Sequence, residues 1–400
     1  MLELLSPAGS FVALKTAVAY GADAVYLGRE ILGMRVAPEN FPLEDFHSAV
    51  DFAHSHNRKI YLTANIIPHN TELKLLPQFL EEAETVGVDG IIIADLGIFN
   101  IAKKYNIPIH ISTQMGVTNY ETANMLYEMG TKRIVLAREL SLEEITEIRL
   151  KVPKDLEIEC FVHGAMCVSF SGRCLISSYM TNRDANRGAC AQPCRWEYTL
   201  TEQKRPNEYF PVTEDERGTY FFNSKDLCMI EYIDKLAAAG INSLKIEGRA
   251  KSEYYVASVT KAYRYAVDCF EKGITLPEWV KEEVFKISHR GYCTGFYFGD
   301  NQHNQVYETS SYIRDWEVVA VIDKCDGEFM YLQQRNRFYP NEELEILEPF
   351  NPPTALKCPE IYNLKGESIE VANIATAKLK LPCEKIFPEG SFIRKIRKNN

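Results

Sequence analysis

The sequence predicts an α/β chain: a TIM-type (β/α)8 barrel carrying a cysteine-rich insertion, followed by a small C-terminal all-β barrel domain. Three observations carry this. Through roughly the first 270 residues, short apolar runs alternate with longer amphipathic ones, the pattern of repeated βα units. The alternation breaks once, for roughly 60 residues rich in Cys, Gly, Arg and Asn, too long for an ordinary connection. Beyond about residue 275 the runs become short strands joined by Gly and Pro.

The barrel strands are expected at Leu2–Leu5, Ala24–Leu27, Ile60–Thr63, Gly90–Ala94, Ile109–Ser112, Arg133–Ala137, Leu156–Val162 and Ser243–Ile246. Between them Phe11–Tyr20, Phe46–His54, Leu73–Val86, Thr122–Met129 and Leu142–Leu150 place apolar residues three and four apart, which predicts helices. Ser141 and Glu144 make a capping box at the start of the last of these. No G-x-G-x-x-G follows the first strand, which weighs against an open doubly wound sheet. Cys160 alternates with Leu156, Ile158 and Val162 and reads as barrel core. The insertion spans 164–225 and holds a charged stretch, Gln203–Thr219, that reads as a hairpin; the next helix is expected near Asp226. The barrel domain is set at 1–275, a linker at 276–310 and the β domain at 311–400. In that domain strands are expected at Glu317–Ile322, Glu328–Gln333, Leu344–Ile346 and Val371–Ala375.

Apolar residues are 46% of the chain and charged residues 25%, so a sizeable core needs no staple. The net charge of −10 excludes a generally sticky nucleic-acid binder but not a local basic patch. One such patch, Ile393-Arg-Lys-Ile-Arg-Lys-Asn-Asn400, reads as a solvated tail, with a binding role as the alternative. The opening Met1-Leu-Glu-Leu-Leu-Ser-Pro7 lacks a basic n-region, and no apolar run approaches the roughly 18 residues of a spanning helix. A cytoplasmic protein with no membrane partner is therefore expected, in a compartment that keeps thiols reduced.

Of eleven cysteines, five fall between Cys167 and Cys228, so metal or redox chemistry is the leading reading of that segment. Six residues separate Cys167 from Cys174 and fifteen separate Cys174 from Cys190, and neither gap makes a zinc knuckle. Cys190 and Cys194, three apart, could make one. Spacing alone leaves an iron–sulfur cluster, zinc and inert thiols open.

The run from Glu159 to Cys194, with Ser224-Lys-Asp-Leu-Cys228 and Ser243-Leu-Lys-Ile-Glu-Gly-Arg249, resembles the collagenase-like peptidase U-32 family. So do Leu4-Leu-Ser-Pro-Ala-Gly9, Gly21-Ala-Asp-Ala-Val-Tyr-Leu-Gly28 and His289-Arg-Gly-Tyr-Cys-Thr-Gly-Phe-Tyr-Phe-Gly299, so the likeness covers nearly the whole chain. A chain of this length with a C-terminal β domain most resembles the branch that hydroxylates tRNA uridine at the wobble position. The resemblance implies an oxygen-independent hydroxylase with a 4Fe–4S cluster, dependent on prephenate and acting on the tRNA anticodon arm. It implies cluster ligands at Cys167, Cys174, Cys190 and Cys228, with Cys194 as the alternative. Were 190–194 helical, both of its thiols would point one way and only one need reach the iron. Cys228 is expected in the first turn of a helix, whose N-terminus favours a thiolate. A paralogous or homo-oligomeric partner is left open.

TIM-barrel chemistry sits where strands end. Those ends offer Asn65, Asp95, Thr113, Gln114, Arg138, Glu139, His163, Glu247 and Arg249. Asp95 is expected to cap the next helix, and Glu139 to serve either the site or a structural ion pair. His163 reads as a cluster neighbour, an acid/base or a core histidine. Glu247 and Arg249 are the pair expected to face substrate, since Arg grips a carboxylate or phosphate with two hydrogen bonds. Against an RNA-modifying oxidoreductase stand two other classes: a peptidase, which could use His163 with Cys167, and a metal-bearing scaffold. The chain has neither H-E-x-x-H nor G-x-S-x-G.

Overall fold

The computed structural model describes residues 2–33, 40–167, 169–196, 213–215, 218–220, 224–299 and 312–397. Eight parallel strands close into a barrel: β1 (Glu3–Pro7), β2 (Ala24–Gly28), β3 (Lys59–Ala64), β4 (Gly90–Ile93), β5 (Ile109–Ile111), β6 (Arg133–Val135), β7 (Glu157–Ala165) and, after the insertion, the strand Ser243–Ile246. That last strand pairs with both β1 and β7, which closes the ring. Its strands are Ile-, Val- and Leu-rich because the ring buries one face inside and the other under helices.

The helices between the strands start on residues that satisfy free backbone N–H groups. Ser10, Asn119 and Ser141 do so, and Asp95 accepts from the N–H groups of Gly97 and Ile98. Asp95 is thus a cap, as expected. The helix expected over Leu73–Val86 is two, Asn70–Leu73 and Leu76–Val86; Pro77 has no N–H to donate and sits where a new helix can begin.

In the insertion, the stretch read as a hairpin contains β8 (Thr213–Asp215) antiparallel to β9 (Gly218–Tyr220). Next comes β10 (Asp226–Cys228), which runs antiparallel to the far end of β7 and pairs Cys228 with His163. This corrects the helix expected near Asp226: Cys228 lies on a strand, and the helix begins at Ile233. The closing barrel strand is β11 (Ser243–Ile246). Residues 276–310, expected as a linker, carry the helix Glu278–Glu283 and β12 (Tyr292–Cys293), which pairs with β10. Among the described residues of that stretch, Tyr292 and Cys293 extend the barrel sheet.

The second domain is an eight-stranded antiparallel half-barrel: β13 (Trp316–Cys325), β14 (Phe329–Gln334), β15 (Glu343–Leu347), β16 (Thr354–Lys357), β17 (Ile361–Asn363), β18 (Ser368–Ile369), β19 (Lys378–Pro382) and β20 (Phe392–Ile396). Val371–Ala375 is not a strand; Ala372 makes a single bridge with Phe338. The basic C-terminal patch is not a solvated tail. Its first half, Ile393–Ile396, lies in β20, an interior strand between β13 and β15, with Ile393 and Arg394 wholly buried; residues 398–400 lie outside the described residues. No described helix is long and apolar enough to cross a membrane.

Candidate functional site

The strand ends of the barrel open into a cavity of about 170 Å³ whose far wall is the insertion. Such a volume holds about one six-membered ring, since an engineered cavity of about 150 Å³ takes up benzene. Cys167, Cys174, Cys190 and Cys194 all line it, together with Arg138, Glu247 and Arg249. Cys228 is not among the lining residues; it stands beside Tyr263, whose hydroxyl is 3.9 Å from Sγ.

Several ties hold the insertion over the mouth. Glu139, after β6, accepts from the N–H of Ser171 at 2.7 Å and its hydroxyl at 3.1 Å, so it serves as an anchor. Asn186 brackets Cys174, accepting from its N–H and donating to its carbonyl, while its own carbonyl takes the N–H of Ile67. Arg187 pairs with Glu72.

Arg249 is nearly fully buried and donates to the Thr63 hydroxyl at 2.7 Å. Gly28 makes this possible: a Cβ there would lie 2.0 Å from the Arg249 Nη1. Gly164, at φ +107°, lets β7 pass the backbone of Glu247, whose carbonyl a Cβ would meet at 2.6 Å. The cation beside the Glu247 carboxylate is Arg138, at 3.9 Å.

His163 does not reach the cavity lining. It is buried among the rings of Tyr255, Tyr263 and Tyr292, with Nδ1 3.4 Å from the Tyr263 hydroxyl and Nε2 unpartnered. Burial pushes its pKa down to about 3, which favours the neutral ring. Burial likewise pushes the Cys228 thiol up to about 11. Cys160 is in the barrel core with Leu156, Ile158 and Val162, as its alternation implied.

Sequence reasoning missed Lys245. It lines the cavity floor and pairs at 2.7 Å with Glu159, which also takes Arg133 at 3.0 Å. The available signal was a charge flanked by Leu244 and Ile246 inside an otherwise apolar strand.

The thiols suit a soft metal in kind. Cys174 and Cys190 each accept a backbone N–H on sulfur, from Ile176 at 3.4 Å and Gln192 at 3.3 Å, which orients both side chains. Among the described residues, no three His, Cys, Asp or Glu side chains converge on one point that would hold a single ion; the four thiols are spread around a cavity instead.

A closed barrel with its mouth roofed by cysteines defines the class: a TIM-barrel protein with a thiol-lined pocket at the strand ends. The model of peptidase family U32 matches residues 9–307, and that of the peptidase family U32 C-terminal domain matches 314–394. The chain belongs to that family. It is 36% identical to tRNA hydroxylation protein P of Escherichia coli (strain K12), over 92% of this chain and 91% of that one. To tRNA hydroxylation protein P1 of Bacillus subtilis (strain 168) it is 37% identical, over 97% and 93%. A 39% identity to the 23S rRNA 5-hydroxycytidine C2501 synthase of Escherichia coli (strain K12) covers 67% of this chain and 39% of that protein.

Proposed function

We propose that this protein is a cytoplasmic RNA hydroxylase that converts the wobble uridine of tRNA to 5-hydroxyuridine, with a 4Fe–4S cluster and prephenate as the small-molecule partner. The observation that carries the reading is one cavity at a barrel mouth, lined by four thiols together with Arg138, Lys245, Arg249 and Glu247. Near full-length similarity to two proteins named for tRNA hydroxylation supports it.

The residues that would hold the cluster are Cys167, Cys174 and Cys190, with Cys228 as the fourth by family resemblance and Cys194 as its rival by position. When bound, such a cluster supplies one-electron chemistry that carboxylates and amides cannot. The chain's own residues do the rest. The cavity admits about one ring, so the target base enters flipped out of its stack. Arg249, fixed by Thr63 and Gly28, holds an anionic group, and the anchored insertion keeps water out. A peptidase using His163 with Cys167 fits less well, because His163 is buried and is not among the residues lining the cavity that Cys167 lines.

The test is nucleoside mass spectrometry of tRNA from a deletion strain. Loss of 5-hydroxyuridine and its derivatives, restored by the wild-type gene but not by an Arg249→Lys copy, is expected. Unchanged 5-hydroxyuridine in a strain lacking every paralogue rules the reading out.

A further inference from the structure

Gln114 lies just past β5, in the single turn Thr113–Met115, and is 4% exposed. Its Oε1 accepts from the Asn65 amide at 2.9 Å and the Ser112 hydroxyl at 3.2 Å. The Ser112 oxygen also accepts the backbone N–H of Gln114, so its hydroxyl hydrogen is available to Oε1. The Nε2 group is buried and has no partner. Gln114 lines the cavity.

Arg138 repeats the pattern on the neighbouring strand end. One guanidinium nitrogen donates to the Ala165 carbonyl at 3.0 Å, and its plane lies 3.9 Å from the centre of the Phe161 ring. Its Nε is buried and unpartnered, and this side chain too lines the cavity. A buried donor with no acceptor is costly and is rarely left so without cause. Here two of them border one cavity that Arg249 and Glu247 also line, and the Glu247 carboxylate, 3.9 Å from another Arg138 nitrogen, partners neither of them, so both still ask for an oxygen.

We infer that Gln114 Nε2 and Arg138 Nε are the donors that bind an sp² oxygen of the small ligand or base entering this cavity. Two sources carry such an oxygen: a carboxylate of an organic acid, and the ring carbonyl of a pyrimidine. Both would take the Gln114 N–H in the cavity plane, with Arg138 adding a charge-assisted bond. Gln114 is then a binding residue held rigid by Asn65 and Ser112. The choice of probes below rests on the RNA hydroxylase reading; the donor geometry does not.

The test is Gln114→Glu, measured by isothermal titration with prephenate and, separately, with uridine 5′-monophosphate. The glutamate keeps an oxygen for Asn65 and Ser112, so the fold should hold, and an unchanged melting temperature and iron content confirm that it does. It puts an acceptor where the donor stood. Affinity for one probe should fall at least about tenfold, the scale of losing a hydrogen bond to a polar or charged group. Prephenate as the weakened probe assigns the site to the acid, and the nucleotide assigns it to the base. Equal affinities in both proteins, or no binding of either probe by the wild type, would overturn the inference. Gln114-dependent binding in a protein whose deletion leaves 5-hydroxyuridine intact keeps the inference and removes the hydroxylase reading.

Discussion

At the scale of single residues, Cys194 and Cys228 compete for the fourth ligand position of the proposed cluster. Cys194 lines the cavity with Cys167, Cys174 and Cys190, whereas Cys228 sits on β10 behind Tyr263 with a thiol pushed up to about 11 by burial. A bound iron reverses that preference, because metal binding takes the thiolate and releases the proton. Each true ligand replaced by serine should lose most of the iron. Cys167→Ser, Cys174→Ser, Cys190→Ser and Cys228→Ser are expected to do so, and Cys194→Ser to keep its cluster. Iron per chain in anaerobic preparations checks this, and the reverse result for Cys194 and Cys228 gives the position to the cavity cysteine. That several cysteines would gather was legible in the sequence, because five of the eleven fall between Cys167 and Cys228, and four of these line the cavity. Gln114 was visible only as a polar residue at a strand end. Its importance comes from Asn65, 49 positions away, and no local pattern records that contact.

Among the elements, the eight barrel strands could be read because strands buried on both faces are dominated by Ile, Val and Leu. β10 could not, because its three residues are too few to show a period, so Cys228 was placed on a helix. The insertion had no periodicity to read; its fold depends on ties to distant parts of the barrel. Glu139 is the testable tie, since it takes two hydrogen bonds from Ser171. Glu139→Gln turns one acceptor into a donor and should cost about 1 kcal/mol of closure, or roughly a fivefold rise in the open population. Cleavage by trypsin within the insertion should speed up by that factor while the barrel's melting temperature stays put. Unchanged cutting would mean that Asn186 and Arg187 hold the insertion without it.

For the whole molecule, the C-terminal half-barrel is fixed to the catalytic barrel through a buried charge cluster. Arg394, on β20, has no exposed surface, and its guanidinium meets the Glu283 carboxylate at 2.5 and 2.7 Å, the Tyr254 hydroxyl at 3.0 Å and also Glu345. Glu283 belongs to the short helix beside the barrel and is itself wholly buried. Tyr20 reaches across the same junction to the carbonyls of Leu347 and Gly390, and Lys261 to those of Glu348 and Asn351. Sequence could not reveal the pairing, because Arg394 and Glu283 are 111 positions apart and the arginine stands in a run that resembles a solvated basic tail. Deleting residues 393–400 would therefore remove an interior strand, so a loss of RNA binding after that deletion would report unfolding. A cleaner probe is Arg394→Met, which keeps the stem and leaves Glu283 buried without its cation. Breaking a buried pair from one side costs about 3–5 kcal/mol, and Glu283→Gln added to Arg394→Met should return part of it by removing the stranded charge. Guanidinium titrations of the two single variants and the double variant measure that coupling. Equal midpoints for Arg394→Met and the wild type would show that the two domains are joined by their apolar contacts and backbone acceptors alone.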